Sequence, residues 1–231
     1  MLIFVGMNTD NHIYASISAD IVASTSLSVN ETIRLKRAIE ELLGLLEKEF
    51  PGFWGRLVKG DYLECILPEP RKIFRIALIL KTFIKAFDVS LTKYNQQFVT
   101  FGIRIAIGIG VMRIVEKAEG IMDGKAIYLS GRGLEKTSST AKGTMIFCAD
   151  NMEAYQGVNT VVLLTDALIN DATRRQCNVL YYKLLGMNES DIASRMGIRQ
   201  PAVSQHSKSA KWYCIEEALR YFENLKFEGY E

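Results

Sequence analysis

Apolar and polar positions recur along this chain with two different periods, and the switches between them mark out its elements. From His12 to Ala19 the apolar residues Ile13, Ala15, Ile17 and Ala19 fall on every second position and lead into Asp20, which predicts a half-buried strand. Ser28-Val-Asn-Glu31 has capping-box spacing. Beyond it Leu35, Ile39, Leu42, Leu43 and Leu46 recur every three or four residues, the pattern of an amphipathic helix, which Pro51-Gly52 stops. Phe53 to Val58 and Tyr62 to Leu67 predict two strands joined by a tight turn through Lys59-Gly60-Asp61. Pro70 suits the first turn of a second helix, with Ile73, Ala77, Leu80, Ile84 and Phe87 along one side.

The most regular stretch follows. Ile103, Ile105, Ile107, Ile109 and Val111 occupy one face of a strand, and Gly102, Arg104, Ala106, Gly108 and Gly110 the other. Glycines in a strand mark the close approach of another backbone or a ligand, or they accommodate twist or a bulge. The sequence leaves both readings open. On the first, a second copy of the chain could approach this bare face, and a homodimer is expected. Ala126 to Lys136 then reads as a helix and Thr144 to Cys148 as a short strand. The order β-α-β-β-α-β predicts an α+β fold of the split βαβ, ferredoxin-like kind, an antiparallel sheet with helices on one face. This unit spans residues 1–160, and a small all-α unit spans 161–231, the join falling between Asp150 and Asp171.

That second unit contains the most specific motif in the chain. In Asn188 to His206, Ala193 is small where two helices would cross, Gly197 supplies a tight turn, and Ile198 and Val203 are apolar anchors for the next helix. The spacing is that of a helix-turn-helix. Its second helix would begin near Gln200-Pro201 and point Arg199, Gln200, Ser204, Gln205 and Lys208 outward. Gln and Arg pair bidentately with adenine and guanine edges in the major groove, so double-stranded DNA is the expected partner. Arg174, Arg175, Lys183, Arg195 and Lys211 add positive charge for phosphates, against Asp171, Glu189 and Asp191. A helical hairpin for protein contacts is the other reading. Downstream, Trp212, Tyr213, Ile215, Ala218, Leu219 and Phe222 form an apolar stripe read as core.

Composition adds limits. A net charge of +2 over 231 residues gives no bulk attraction to nucleic acid, so the positive charge that matters is local. The apolar run from Ile76 to Ile84 is interrupted by Lys81 and too short for a membrane span, and Met1 to Gly6 is too short for a signal-peptide core. A cytoplasmic protein is expected. Cys65, Cys148, Cys177 and Cys214 lack metal-ligand spacing and read as reduced thiols, and two histidines, His12 and His206, cannot build a His-based metal site.

Asp20 and Asp61 would meet at one end of the sheet, because the first and third strands of a split βαβ unit are antiparallel neighbours. Two such carboxylates can seat Mg²⁺, or they can be ordinary turn residues. Asp20-Ile-Val-Ala-Ser-Thr-Ser-Leu27, Gly60-Asp61 and the segment from Gly124 to Arg132 resemble the metal and transition-state motifs of class III nucleotide cyclases. More extensively, Gly60-Asp61, Phe101 to Gly110, Asp123-Gly-Lys-Ala126 and the C-terminal helices resemble the SatD family, cyclase-like proteins with an appended helix-turn-helix. The resemblance implies Mg²⁺ on Asp20 and Asp61, and a phosphorylated small-molecule ligand contacted by Arg132 and Lys59. Leu57, Ile121 and Tyr128 stand where cyclases carry base-selecting Lys and acid and a ribose-orienting Asn. The expectation is therefore a DNA-binding transcriptional regulator with a degenerate cyclase-like domain for sensing or dimerisation. The alternatives are a metal-dependent cyclase or related nucleotide-converting enzyme targeted to DNA, and an interaction scaffold.

Overall fold

The computed structural model describes residues 12–22, 27–58, 60–88, 102–138 and 144–227. Strand β1 (Ile13–Val22) lies between β3 (Tyr62–Leu67) and the long β4 (Gly102–Glu116), antiparallel to both. With β2 (Trp54–Val58) outside β3, the order β2-β3-β1-β4 is that of the split βαβ unit. Two more strands lie on β4. The short β5 (Ile121–Gly124) folds back antiparallel on its far half, and β6 (Met145–Ala149) runs parallel to its first half. The α+β class expected from sequence is present, but the sheet is mixed. Helix α3 (Lys125–Ser138) carries the chain across the sheet, so β6 re-enters in the direction of β4.

Period-two alternation sorts β1 cleanly. Ala15, Ile17, Ala19 and Ile21 enter the main core with α1 (Val29–Glu49) and α2 (Ile73–Ala86). The capping box that begins α1 forms, with Ser28 accepting from the Glu31 N–H and Glu31 accepting from the Ser28 N–H at 3.0 Å. Pro70 opens a 3-10 turn, Pro70–Lys72, that leads directly into α2. Helix α2 is apolar around most of its circumference because it is packed on both sides, against the sheet and against α5 (Arg174–Leu184).

The opposite side of β1 carries Ser16 and Ser18, and there α3 lies. Ser130 on α3 hydrogen-bonds Ser16 at 3.0 Å and Ser18 at 2.9 Å. The glycines of β4 make this possible. A Cβ on Gly108 would sit 2.3 Å from the Ala126 carbonyl oxygen and 2.6 Å from the Ser130 nitrogen. Of the two readings of the bare face, close backbone approach is the one realised, but the approaching backbone is the chain's own α3. The expectation that helices share one face, and that the glycine face lies open to a partner or ligand, is thereby corrected. A homodimer loses its sequence argument.

Helix α4 (Val158–Asp171) packs on β6, and α8 (Trp212–Glu223) packs against α4 and α2. Val162, Ile169, Cys177, Leu180, Ile215, Leu219 and Phe222 therefore belong to the same core as the sheet's isoleucines, although the sequence pattern sets residues 161–231 apart. Two polar ties cross the same seam. Lys81 and Asp166, 1% and 2% exposed, form an ion pair at 2.6 Å. Glu223 accepts from Arg75 Nε at 2.7 Å and Lys72 Nζ at 3.1 Å. Among the described residues, no helix is long and apolar enough to cross a membrane.

Candidate nucleic-acid interface

Helices α5, α6 (Glu189–Met196) and α7 (Gln200–Ser209) enclose a small core of their own: Val179 from α5, Ile192 and Ala193 from α6, and Val203 from α7. Tyr182, Met187, Met196 and Ile198 close around it. Each boundary has a local cause. Asn188 caps α6 by accepting from the Asp191 N–H at 2.9 Å. Gly197 ends it in the left-handed region at φ 63°, where a side chain would strain the backbone, and the Ile198 N–H returns to the Ala193 carbonyl at 3.0 Å. Pro201 falls in the first turn of α7, where its missing N–H costs nothing. Ala193, Gly197 and Val203 thus hold the positions their spacing implies.

The outward surface of α7 matches the sequence reading closely. Arg199, Gln200, Gln205 and Lys208 are exposed and Ser204 is half-buried. Gln200, Pro201, Ser204, Gln205, Lys208 and Ser209 line an open groove of about 440 Å³ along the helix. Ser207 takes the buried position at the end of the helix, next to His206. Lys211 is exposed between α7 and α8 and has φ 58°, the one positive φ of a non-glycine among the described residues. Arg195 is exposed, its guanidinium 5.6 Å from the centroid of the Tyr182 ring.

Two cations from the sequence reading serve other ends. Lys183 has a side chain only 14% exposed, ion-pairs with Glu189 at 3.3 Å, and lies 5.5 Å from the Trp212 ring centroid. Arg174 pairs with Asp88. The stripe on α8 is core at Ile215, Leu219 and Phe222, whereas Tyr213 faces outward, 63% exposed. Sequence reasoning also missed a bond on the α7 surface itself. Gln200 Nε2 donates to Glu189 Oε2 at 2.7 Å, and no local pattern signals a contact between the first residues of two helices.

Asp20 and Asp61 do meet at one end of the sheet. Asp20 pairs across strands with Tyr62, and the Ile21 N–H donates to the Asp61 carbonyl at 3.0 Å. Asp20, however, faces Arg104 on β4 and takes two bonds from it, Nε to Oδ1 at 2.8 Å and a short one from Nη2 to Oδ2. A divalent ion here would have to compete with a guanidinium already in bidentate contact. Among the described residues, no group of three or more His, Cys, Asp or Glu side chains is arranged to hold a metal.

Asp20, Tyr62, Arg104, Gly131, Leu134 and Glu135 line a cleft of about 320 Å³. Burial pushes the Tyr62 phenol above its usual range, and its hydrogen bond with Ser18 works in the opposite direction. Arg132 is exposed on α3 and does not line this cleft. Tyr128 donates to Asp123 at 2.7 Å, a bond that, with those from Arg113, holds the Asp123 carboxyl below its usual range. Lys59, residues 23–26 of the first cyclase-like motif, and Phe101 lie outside the described residues.

Compared with protein-family models and with curated proteins, the chain matches none of them.

Proposed function

We propose that this protein binds double-stranded DNA by placing α7 in the major groove, and that it acts in the cytoplasm as a transcriptional regulator. The observation that carries the proposal is the three-helix arrangement around Ile192, Ala193 and Val203. It leaves Arg199, Gln200, Gln205 and Lys208 exposed on one helix, behind a tight turn at Gly197. In a helix-turn-helix the second helix enters the groove and its N-terminal residues meet base edges, while basic groups around it contact phosphates. Gln200 and Gln205 are suited to adenine and Arg199 to guanine, and the exposed Lys208, Lys211 and Arg195 are suited to phosphates.

In this reading the α+β unit is the sensing or dimerising body of the regulator, as the SatD resemblance implies. A phosphorylated ligand is the class that resemblance points to. The Asp20–Arg104 pair favours a sensing unit over a metal-dependent cyclase, because the carboxylate that would carry the metal is engaged by a cation of the same chain.

The test is selection from a random duplex library by the full-length protein. Enrichment of a defined sequence is expected, with Gln205→Ala relaxing the preference at one base pair by about 1–3 kcal/mol. Recovery of unselected sequence at every salt concentration would overturn the proposal.

A further inference from the structure

The contact between Gln200 and Glu189 has a consequence for specificity. A glutamine amide has nearly symmetric ends, and a freely rotating one reads a base edge poorly, because it presents acceptor and donor in either order. Gln200 is the first residue of α7 and Glu189 the first of α6, and they meet at 2.7 Å through Nε2 and Oε2. A carboxylate only accepts, so it draws the NH₂ end toward itself and repels the carbonyl end. One amide proton is used by this bond. On this exposed residue the bond leaves the second proton and the carbonyl oxygen as an ordered donor–acceptor pair, the complement of adenine N7 and N6 in the major groove.

A bare carboxylate on this surface would also repel the DNA backbone. Lys183 answers that charge. Its ammonium is 3.3 Å from Glu189 Oε1, the oxygen Gln200 does not use, and 5.5 Å from the Trp212 ring centroid. The side chain is 14% exposed, too enclosed to serve as an ordinary phosphate contact. Trp212, Lys183, Glu189 and Gln200 thus form a line with one residue from each of α8, α5, α6 and α7, ending at the groove-facing amide.

We propose that Glu189, neutralised by Lys183, is a positioning residue that fixes the amide of Gln200 in the orientation that reads adenine. This inference rests on the DNA-binding reading above. It adds that specificity at one base pair is set by a residue that touches no base.

The test uses the full-length protein and the duplex enriched by selection, with each base pair varied in turn and affinities compared at one salt concentration. A good bidentate contact discriminates between bases by roughly 5- to 150-fold. Gln200→Ala is expected to abolish discrimination at one adenine, and Glu189→Ala to reduce it there by about fivefold while leaving other positions unchanged. Glu189→Gln keeps an acceptor within reach and should remain closer to wild type than alanine does. In a Gln200→Ala background, adding Glu189→Ala should change the base profile no further. A structural role for Glu189 would not show that dependence. If the wild-type protein enriches no sequence, the DNA-binding reading fails and this inference with it. If it enriches a sequence that Gln200→Ala relaxes but Glu189→Ala leaves intact, the positioning role alone is overturned. A uniform change of affinity across all base pairs in Glu189→Ala, persisting without Gln200, would reduce Glu189 to a charge effect and likewise overturn it.

Discussion

Removing the Asp166 carboxylate should destabilise the whole molecule, because of what would be left behind. Lys81 and Asp166 are 1% and 2% exposed, and their contact at 2.6 Å lies between α2 and α4. Asp166 also accepts from the Thr144 N–H at 2.8 Å and from the Thr144 hydroxyl at 2.8 Å, so one carboxylate joins β6's approach, α2 and α4. Asp166→Ala leaves an ammonium buried without its counter-charge and an N–H without an acceptor. Breaking a buried pair from one side costs about 3–5 kcal/mol, a large share of the roughly 5–15 kcal/mol that holds a typical protein folded. With a urea slope of roughly 2–3 kcal/mol per molar, the unfolding midpoint should fall by roughly 1–2.5 M.

The double variant Lys81→Met with Asp166→Leu removes both charges. It should recover part of the loss, falling short by about 1–3 kcal/mol for the unsatisfied Thr144 N–H. The pH dependence carries a further signature. Burial pushes the Lys81 ammonium below its usual range while Asp166 pulls it back up, so the depression deepens in Asp166→Ala. With the folded value below the unfolded one, near 10.4, the unfolded chain binds more protons in the window between them. Stability therefore rises as pH climbs through that window, and the deficit of Asp166→Ala is full below it and shrinks toward about pH 10. A loss under about 1 kcal/mol at neutral pH, or a deficit that does not change with pH, would mean that the buried ammonium does not depend on Asp166 for its charge.

Two further substitutions probe the packing of α3 and of α8. Gly108→Ala places a methyl group 2.3 Å from a backbone oxygen of α3 and should cost about 1–3 kcal/mol or more by overpacking, read as a lower Tm; an unchanged Tm would contradict the close approach. Glu223→Gln should cost about 1 kcal/mol at neutral pH, the exposed Lys72 arm contributing little. Burial raises the Glu223 carboxyl, but the bonds from Arg75 and Lys72 outweigh it and hold the group below its usual value. Its stabilisation is present above the unfolded value near 4.3 and lost as pH falls through the folded one, so wild type and variant should converge in acid.

Elements whose signal is local were legible in the sequence. The capping box at Ser28, the alternation of β1 and β4, and the Ala193, Gly197 and Val203 spacing each depend on residues a few positions apart, and each takes the form the pattern implies. What stayed hidden depends on residues far apart in the chain. Lys81 reads in sequence as a blemish in an apolar run, and its partner Asp166 lies on another helix. Arg104 reads as one polar residue on a glycine face, and only the β1–β4 register sets it opposite Asp20. The glycines of β4 announce a close approach without naming what approaches, and α3 could be assigned to them only once its crossing of the sheet was known. Glu189 counted in sequence as a charge opposing DNA. Its bond to Gln200 gives it a different meaning, which depends on how α6 and α7 cross.

The central claim, that α7 reads DNA, is tested most directly by a fluorescence-anisotropy titration of full-length protein. Two labelled duplexes are compared at one salt concentration, the sequence enriched by selection and a scrambled version of it. Binding to the enriched duplex is expected to be about 10³-fold tighter or more, and that ratio to collapse toward one in a variant with Arg199, Gln200 and Gln205 all changed to alanine. Equal affinity for the two duplexes, or a ratio that survives in the triple variant, would contradict it.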